Sequence, residues 1–310
     1  MKVLVVGYGS IAKVHINNLC EIESIKNIYV YTQIKVDTTP HLKIKFVQGI
    51  NDHKVDFCII ANQTAKHIDT ALELAKQNVP LFIEKPISHN LNKTDELSKL
   101  VAKNKTPVFI AYNLRFLSAF TQLKELLDKN TIGKLFFAKI ETGQNLAYWR
   151  PDTDYRKSYS ANKDLGGGVA LDLSHEIDLM RYLFGNPKSW HVIKTKVSHL
   201  EIDSDDLFEG IYHYSNNFVC NVHLDYLQEA KKRKIRIVGE KGELSCDVFE
   251  QTLQIKSNDN IQNQTDPKIF EIKDTYKAEL LHFLEVIKNK TSPKVTLADG
   301  LAIHDLITPS

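Results

Sequence analysis

Val3-Leu4-Val5-Val6-Gly7-Tyr8-Gly9-Ser10-Ile11-Ala12 decides the fold. Four apolar residues, three of them β-branched, read as a buried strand, and G-x-G-x-x-G/A follows directly. Gly7 permits the tight turn. Gly9 has no side chain, so a pyrophosphate can approach the backbone, and Ala12 lets the next helix pack on the strand. Ser10 and Ile11 fall in the first helical turn, where free N–H groups and the dipole favour phosphate. Gly7, Gly9, Ser10, Ile11 and Ala12 are therefore candidate dinucleotide-binding residues. The competing reading is a glycine-rich turn in some other α/β fold.

The surrounding pattern supports the first reading. Apolar runs recur at Val3–Val6, Ile28–Tyr31, Phe57–Ala61, Leu81–Ile83 and Val108–Ala111, with a short one near Lys45–Val47. Helical periodicity lies between most of them, at Ala65–Gln77 and Asn92–Lys103. Alternating strand and helix implies a parallel sheet covered on both faces. After Arg115 the pattern changes. A helix at Phe120–Asp128 and a strand at Lys134–Glu141 lead into the polar, aromatic stretch Thr142–Asp164. Gly166–Gly168 opens a helix expected to run to about Phe184. Six closely spaced strands follow, from Trp190 to Ile255, and then helices at Ala278–Lys288 and Leu297–Ile307. Strands without intervening helices imply an antiparallel sheet. The expected fold class is α/β: a Rossmann domain over residues 1–115, then an α+β domain over 116–310 with a mostly antiparallel open sheet. An open sheet face often packs on a copy of itself, so a homodimer or homotetramer is expected.

Bulk properties narrow the function. The 310 residues suit two domains, and 43% hydrophobic with 25% charged content is ordinary for a globular protein. Net charge is only +2, so no global field draws the chain to nucleic acid or to a membrane. The basic run Lys231–Lys234 reads as a solvated strand end, with an anionic partner as the minor reading. Cys20, Cys58, Cys220 and Cys246 form no CxxC pair, so no thiolate metal site is expected. The N-terminal apolar stretch is too short for a signal peptide, and no run approaches a membrane span. A cytoplasmic enzyme is the expectation.

The second strand should end at the adenosine ribose, where an acid would favour NAD. Thr32 and Gln33 stand there, with Lys35 beyond. Neither NAD nor NADP is selected, and a weak preference, or a modest tilt toward NADP, is expected. Glu84-Lys85-Pro86 follows the strand Leu81–Ile83 at its carboxyl end, where doubly wound sheets bind ligands. Lys85 there can meet a substrate hydroxyl. In isolation a Glu-Lys pair in a loop is usually surface charge.

Several segments together change that weighting. GYGSIA at Gly7–Ala12, ANQTAKH at Ala61–His67, EKP at Glu84–Pro86, AYNLRF at Ala111–Phe116 and GGGVALDLSHEID at Gly166–Asp178 occur in this order. In these the chain resembles the Gfo/Idh/MocA family of sugar and cyclitol dehydrogenases, over nearly its whole length. The resemblance implies NAD or NADP as hydride carrier and a sugar or sugar-like alcohol as substrate. It adds Ala61, Asn62, His67, Glu84, Lys85 and Asn113 as cofactor contacts, with Trp149 and Arg150. It implies Lys85, Asp172 and His175 as catalytic residues, and Arg115, Tyr155, Arg156 and Glu176 beside them toward substrate. The stretch Trp149–Gly168 resembles more narrowly a branch tied to surface-polysaccharide and sialic-acid-like sugars.

Some positions depart from the family pattern. The family places a histidine four residues after the aspartate. Here that place holds Glu176, and His175 comes one residue early. Asp172 and His175 on one helix would lie roughly 60° apart and face one cleft. Imidazole titrates near working pH, which favours His175 as acid/base, with Glu176 as the alternative and a surface His–Glu pair as the structural reading. Asp178 is expected to make a structural bond. Gln63 and Ser118 replace prolines of the family, and a local backbone change is expected there. The chain also ends sooner after Leu297–Ile307 than the resemblance implies. A non-catalytic dinucleotide- and sugar-binding sensor of the same family is the alternative function.

Overall fold

The computed structural model describes residues 1–34, 36, 41–150, 153–257 and 260–308. They form two compact units. One comprises Met1–Asn113 with Tyr276–Ala302, the other Leu114–Thr275 with Ile303–Ser310. The expected division at 115/116 thus differs in one respect: Tyr276–Ala302 leaves the second unit and packs with the first. The reason is apolar. Phe283 lies 5.8 Å from Phe57, 5.7 Å from Phe82 and 6.0 Å from Phe109, ring centre to ring centre. All four rings are fully buried, and each contributes about 2 kcal/mol by leaving water.

The first unit contains β1 (Lys2–Val6), α1 (Ser10–Glu21), β2 (Asn27–Tyr31), β3 (Ile44–Val47), β4 (Phe57–Ile60), α2 (His67–Ala75), β5 (Leu81–Ile83), α3 (Thr94–Asn104) and β6 (Val108–Ile110). The strands pair in the order β3-β2-β1-β4-β5-β6, parallel throughout. This is the doubly wound order, with its switch point between β1 and β4. Residues of β4, β5 and β6 are all buried, as strands covered on both faces require.

The second unit holds α4 (Ser118–Asp128), β7 (Leu135–Gly143), α5 (Leu146–Trp149), α6 (Val169–Asp172), α7 (His175–Phe184), β8 (Ser189–Thr195), β9 (Leu207–His213), β10 (Val219–Asp225), β11 (Lys232–Gly239), β12 (Gly242–Asp247), β13 (Thr252–Ser257) and β14 (Asn260–Gln264). The eight strands run β14-β13-β12-β11-β7-β10-β9-β8, antiparallel except for β7 with β10. Strand β14 was not expected. Its residues Asn-Ile-Gln-Asn-Gln are all exposed, so it carries no alternating apolar signal and is held by its backbone ladder. Two further helices follow, α8 (Ile272–Asn289) and α9 (Leu297–Leu306). Among the described residues no helix is long and apolar enough to cross a membrane.

The single helix expected from Gly168 to Phe184 is two. After Asp172 the backbone leaves helical geometry at Leu173 (φ −98°, ψ 25°), and α7 starts afresh at His175. The 60° relation between Asp172 and His175 therefore does not hold. A histidine one residue early is what a restarted helix can accommodate.

Candidate active site

The switch point of the parallel sheet is built by backbone. Gly7 has φ +113°, and a Cβ there would lie 2.3 Å from the Ala61 carbonyl oxygen. Only glycine tolerates both demands. The close approach follows from pairing: Ala61 N–H donates to Val6 O at 2.8 Å, and Gly7 N–H to Tyr31 O at 2.9 Å. Gly9, which opens α1, differs. Its φ of −74° suits any residue, and an added Cβ would meet nothing within 4 Å. The chain itself does not need glycine there, whereas a phosphate resting on the helix N-terminus would. Ser10 is exposed and Ile11 half-buried beside this opening, and Ala12 is fully buried under the sheet. Asn62 adds a second sign of a ligand. Its Nδ2 donates to Thr70 Oγ1 at 3.1 Å, while its Oδ1 is buried without a partner. These features fit a dinucleotide.

At the end of β2, Thr32 Oγ1 accepts the Ile34 N–H at 3.1 Å, and Gln33 is exposed. Lys35 lies outside the described residues.

Glu84-Lys85-Pro86 is braced from behind. Glu84 N–H donates to Ile60 O at 2.9 Å, fixing the turn to β4. Its Oε1 lies 2.6 Å from His15 Nε2, and its Oε2 accepts the Lys85 N–H at 3.2 Å. Glu84 thus supports the turn from behind. The Lys85–Pro86 bond is cis, and Lys85 is half-buried. His67 also braces this corner. Its ring sits 3.0 Å from Pro86 O and 3.2 Å from Asn62 O. Burial lowers its pKa, so the neutral ring donates to one carbonyl at a time. Asn113, at the end of the first segment of this unit, is 2% exposed.

In the second unit the site centres on Asp172, which is 3% exposed. The segment before it is packed too tightly for side chains. Gly168 has φ +115°, and a Cβ there would meet Asp205 Oδ1 at 2.4 Å. Asp205 in turn accepts the Ala170 N–H at 3.0 Å and so holds the start of α6. Tyr226 Oη donates to Asp172 Oδ2 at 2.6 Å. Tyr159 approaches the same carboxylate; its burial, then the Asp172 charge, push its hydroxyl pKa upward. Trp149 packs edge-on to Tyr226 at 5.5 Å, and the Arg150 guanidinium lies 5.3 Å from the Tyr159 ring centre. Helix α5 carries Trp149 here because Leu146 N–H bonds Tyr226 O at 3.0 Å and Asn145 caps the helix. Trp149, Arg150 and Asp172 are thereby brought together as expected. Tyr159 and Tyr226 join them without a distinguishing signal in the sequence: one sits in the irregular loop, the other ends an apolar strand run.

His175 is half-buried at the first turn of α7. Its neighbour Glu176 is fully buried, accepting from Arg233 Nε at 2.7 Å and Thr142 Oγ1 at 2.8 Å. A carboxylate held in a buried ion pair is poorly placed to exchange protons with substrate. Arg233 and Thr142 also line a small cleft together with Trp149, Leu173, Asp225, Lys232 and Phe249.

Three of the expected substrate ligands have protein partners. Arg115 makes a two-point bond to Asp178, Nε–Oδ2 2.8 Å and Nη2–Oδ1 2.6 Å, at 8% exposure. The structural bond expected of Asp178 is this one. Arg156 is exposed and paired with Asp154 and Glu201, and the Tyr155 hydroxyl accepts the Glu201 N–H at 3.3 Å. Only the Arg156–Asp154 pair is local in sequence; Asp178 reaches Arg115, and Glu201 reaches Tyr155 and Arg156, across the fold.

Comparison with known proteins agrees with this arrangement. Residues 1–112 match the family model described as an oxidoreductase family with an NAD-binding Rossmann fold, and residues 120–245 match the GFO/IDH/MocA C-terminal domain. Myo-inositol 2-dehydrogenase of Thermotoga maritima is 26% identical, over 97% of this chain and 92% of its own length. An uncharacterised oxidoreductase of Bacillus subtilis, YrbE, is 25% identical over 96% and 89%. Among solved structures, levoglucosan dehydrogenase in complex with NADH and levoglucosan superposes with a TM-score of 0.83 at 17% identity, over 99% of this chain and 96% of that one. With both halves matched in order, the chain belongs to the GFO/IDH/MocA oxidoreductase family.

Proposed function

We propose that this protein is an NAD(P)-dependent dehydrogenase that reversibly oxidises a hydroxyl of a sugar or cyclitol. The observation that carries the reading is a pair of features at the carboxyl ends of the parallel strands: room over Gly9 at the start of α1 among the described residues, and Lys85 in a braced turn after β5. The turn Gly7–Ala12 and Asn62 would hold the dinucleotide, which supplies hydride acceptance when bound. Lys85 handles the hydroxyl proton, its ammonium donating to the alcohol oxygen and its amine form accepting from it. His175 is the second acid/base. Asp172, kept in place by Tyr226, orients the substrate hydroxyl or the imidazole. Glu176 serves as structural counter-ion to Arg233.

Relatives support the substrate class: one is named for myo-inositol, and a structural neighbour holds levoglucosan. Four free cysteines suit a reducing cytoplasm. The test is a cofactor-monitored screen of cyclitols, free sugars and nucleotide-activated sugars, acidic nine-carbon sugars included. At least one should drive NAD(P)H formation, or its consumption when the ketone is supplied. Tight NAD(P)H binding with no turnover across the panel would identify a sensor instead.

A further inference from the structure

Behind Lys85 lies a buried group that the proposed chemistry does not use. Glu279, on α8, is fully buried, and neither carboxylate oxygen has a partner. It belongs to the same unit as His15 and Glu84. One ligand-type atom from each of the three residues falls within a 4.8 Å group. His15 is fully buried and Glu84 is 7% exposed. The rings of Phe82 and Tyr276 flank His15 at 5.0 and 6.3 Å. Among the described residues no lysine or arginine pairs with either carboxylate.

Two carboxylates this close in a buried pocket do not both ionise. Glu84 accepts the Lys85 N–H and lies 2.6 Å from the His15 ring, whereas Glu279 has no such partner. Burial, then the Glu84 charge, raise the pKa of Glu279 well above the carboxylate range. Glu279 therefore keeps its proton, and a buried O–H needs an acceptor. The acceptor at hand is Glu84, which lies within 4.8 Å but makes no direct bond to Glu279, so one bridging water closes the gap. The 2.6 Å His15–Glu84 contact is a hydrogen bond, too short for two ligands side by side on one metal ion, which argues against a cation here.

We propose that Glu279 is a positioning residue for the dehydrogenase: as a neutral acid it donates through the bridging water to the Glu84 carboxylate and, with His15, fixes the turn from which Lys85 projects. This rests on the reading of Lys85 as the proton-handling group. The chain of contacts runs from α8 through Glu84 to the Lys85 backbone, so a change at Glu279 reaches the chemistry without touching substrate.

The experiment uses the full chain with Glu279→Gln, Glu279→Ala and Lys85→Ala, each alone and the two alanines combined. Glu279→Gln keeps a neutral donor of the same shape, so kcat should stay within about twofold. Glu279→Ala should lower kcat about tenfold or more with the Kd for NAD(P)H unchanged, and should move the Lys85-dependent limb of the pH profile. Added to Lys85→Ala it should cost nothing further. The infrared carbonyl band of a buried protonated carboxylic acid should be present in the wild type and absent in Glu279→Gln. Glu279→Gln is the folded reference if the alanine variant fails to accumulate. Absence of that band, an alanine variant with unaltered kcat and pH limb, or a stoichiometric metal ion lost on Glu279→Gln would each overturn the proposal. An active Lys85→Ala enzyme would instead overturn the Lys85 reading on which it rests.

Discussion

At the scale of single residues, the choice between His175 and Glu176 shows how partners decide a role. Both are titratable, adjacent, and close to Asp172 in sequence. Glu176 has its charge spent on Arg233 and its oxygen on Thr142 inside the unit. His175 stands at the first turn of a helix and is only partly covered. Glu176→Gln should therefore act on stability, removing a charged hydrogen bond that contributes about 1.5–3 kcal/mol. The variant should melt several degrees lower yet keep kcat within about threefold. His175→Ala should lower kcat by roughly 100-fold and abolish the limb in which the oxidation rate falls as the imidazole gains its proton. Measuring kcat against pH for both variants checks this; a dead Glu176→Gln beside an active His175→Ala would reverse the roles.

At the scale of elements, two glycines two residues apart have opposite duties. Gly7 is demanded by the fold, since its positive φ and the Ala61 carbonyl leave no room for a side chain. Gly9 is not demanded by the fold, since among the described residues an added Cβ would meet nothing within 4 Å, which leaves room for the proposed dinucleotide. Gly7→Ala should destabilise the protein by about 2–4 kcal/mol. Gly9→Ala should leave stability within about 0.5 kcal/mol but weaken NAD(P)H binding tenfold or more, about 1.4 kcal/mol. Thermal melts with calorimetric binding separate the two, and equal melting temperatures for both variants would refute the distinction.

The same contrast explains what could be read in advance. The β1–α1 turn and the EKP corner were legible because each couples a strand end to residues with a local steric or chemical requirement. Strand β14, the break at Leu173 and the ion pairs of Arg115 and Arg233 were not. The strand depends on an edge ladder and each ion pair on a partner about sixty residues away, and nothing local in the sequence marks the break at Leu173. His67 and Glu84 were found by pattern, but their task as braces appears only once His15 and Pro86 are seen beside them.

For the whole molecule, the eight-stranded sheet carries α6 and α7 on one face. Phe137, Ile193 and Ile211 from β7, β8 and β9 are exposed at 37%, 51% and 43%. Apolar side chains gathered on sheet strands favour self-association, and we propose that this sheet forms the contact in a homodimer or homotetramer. Light scattering at micromolar concentration should give a multiple of the 35.4 kDa chain mass, and a strictly monomeric mass would contradict it.

The central claim joins a dinucleotide turn to a lysine that moves a proton during hydride transfer. Lys85→Ala tests it most directly, assayed on the best substrate of the screen beside NAD(P)H titration of the same preparation. The account predicts a Kd within about twofold of wild type with kcat reduced at least 100-fold, about 2.7 kcal/mol of barrier. A variant that binds cofactor normally and retains more than about a tenth of wild-type kcat would contradict it.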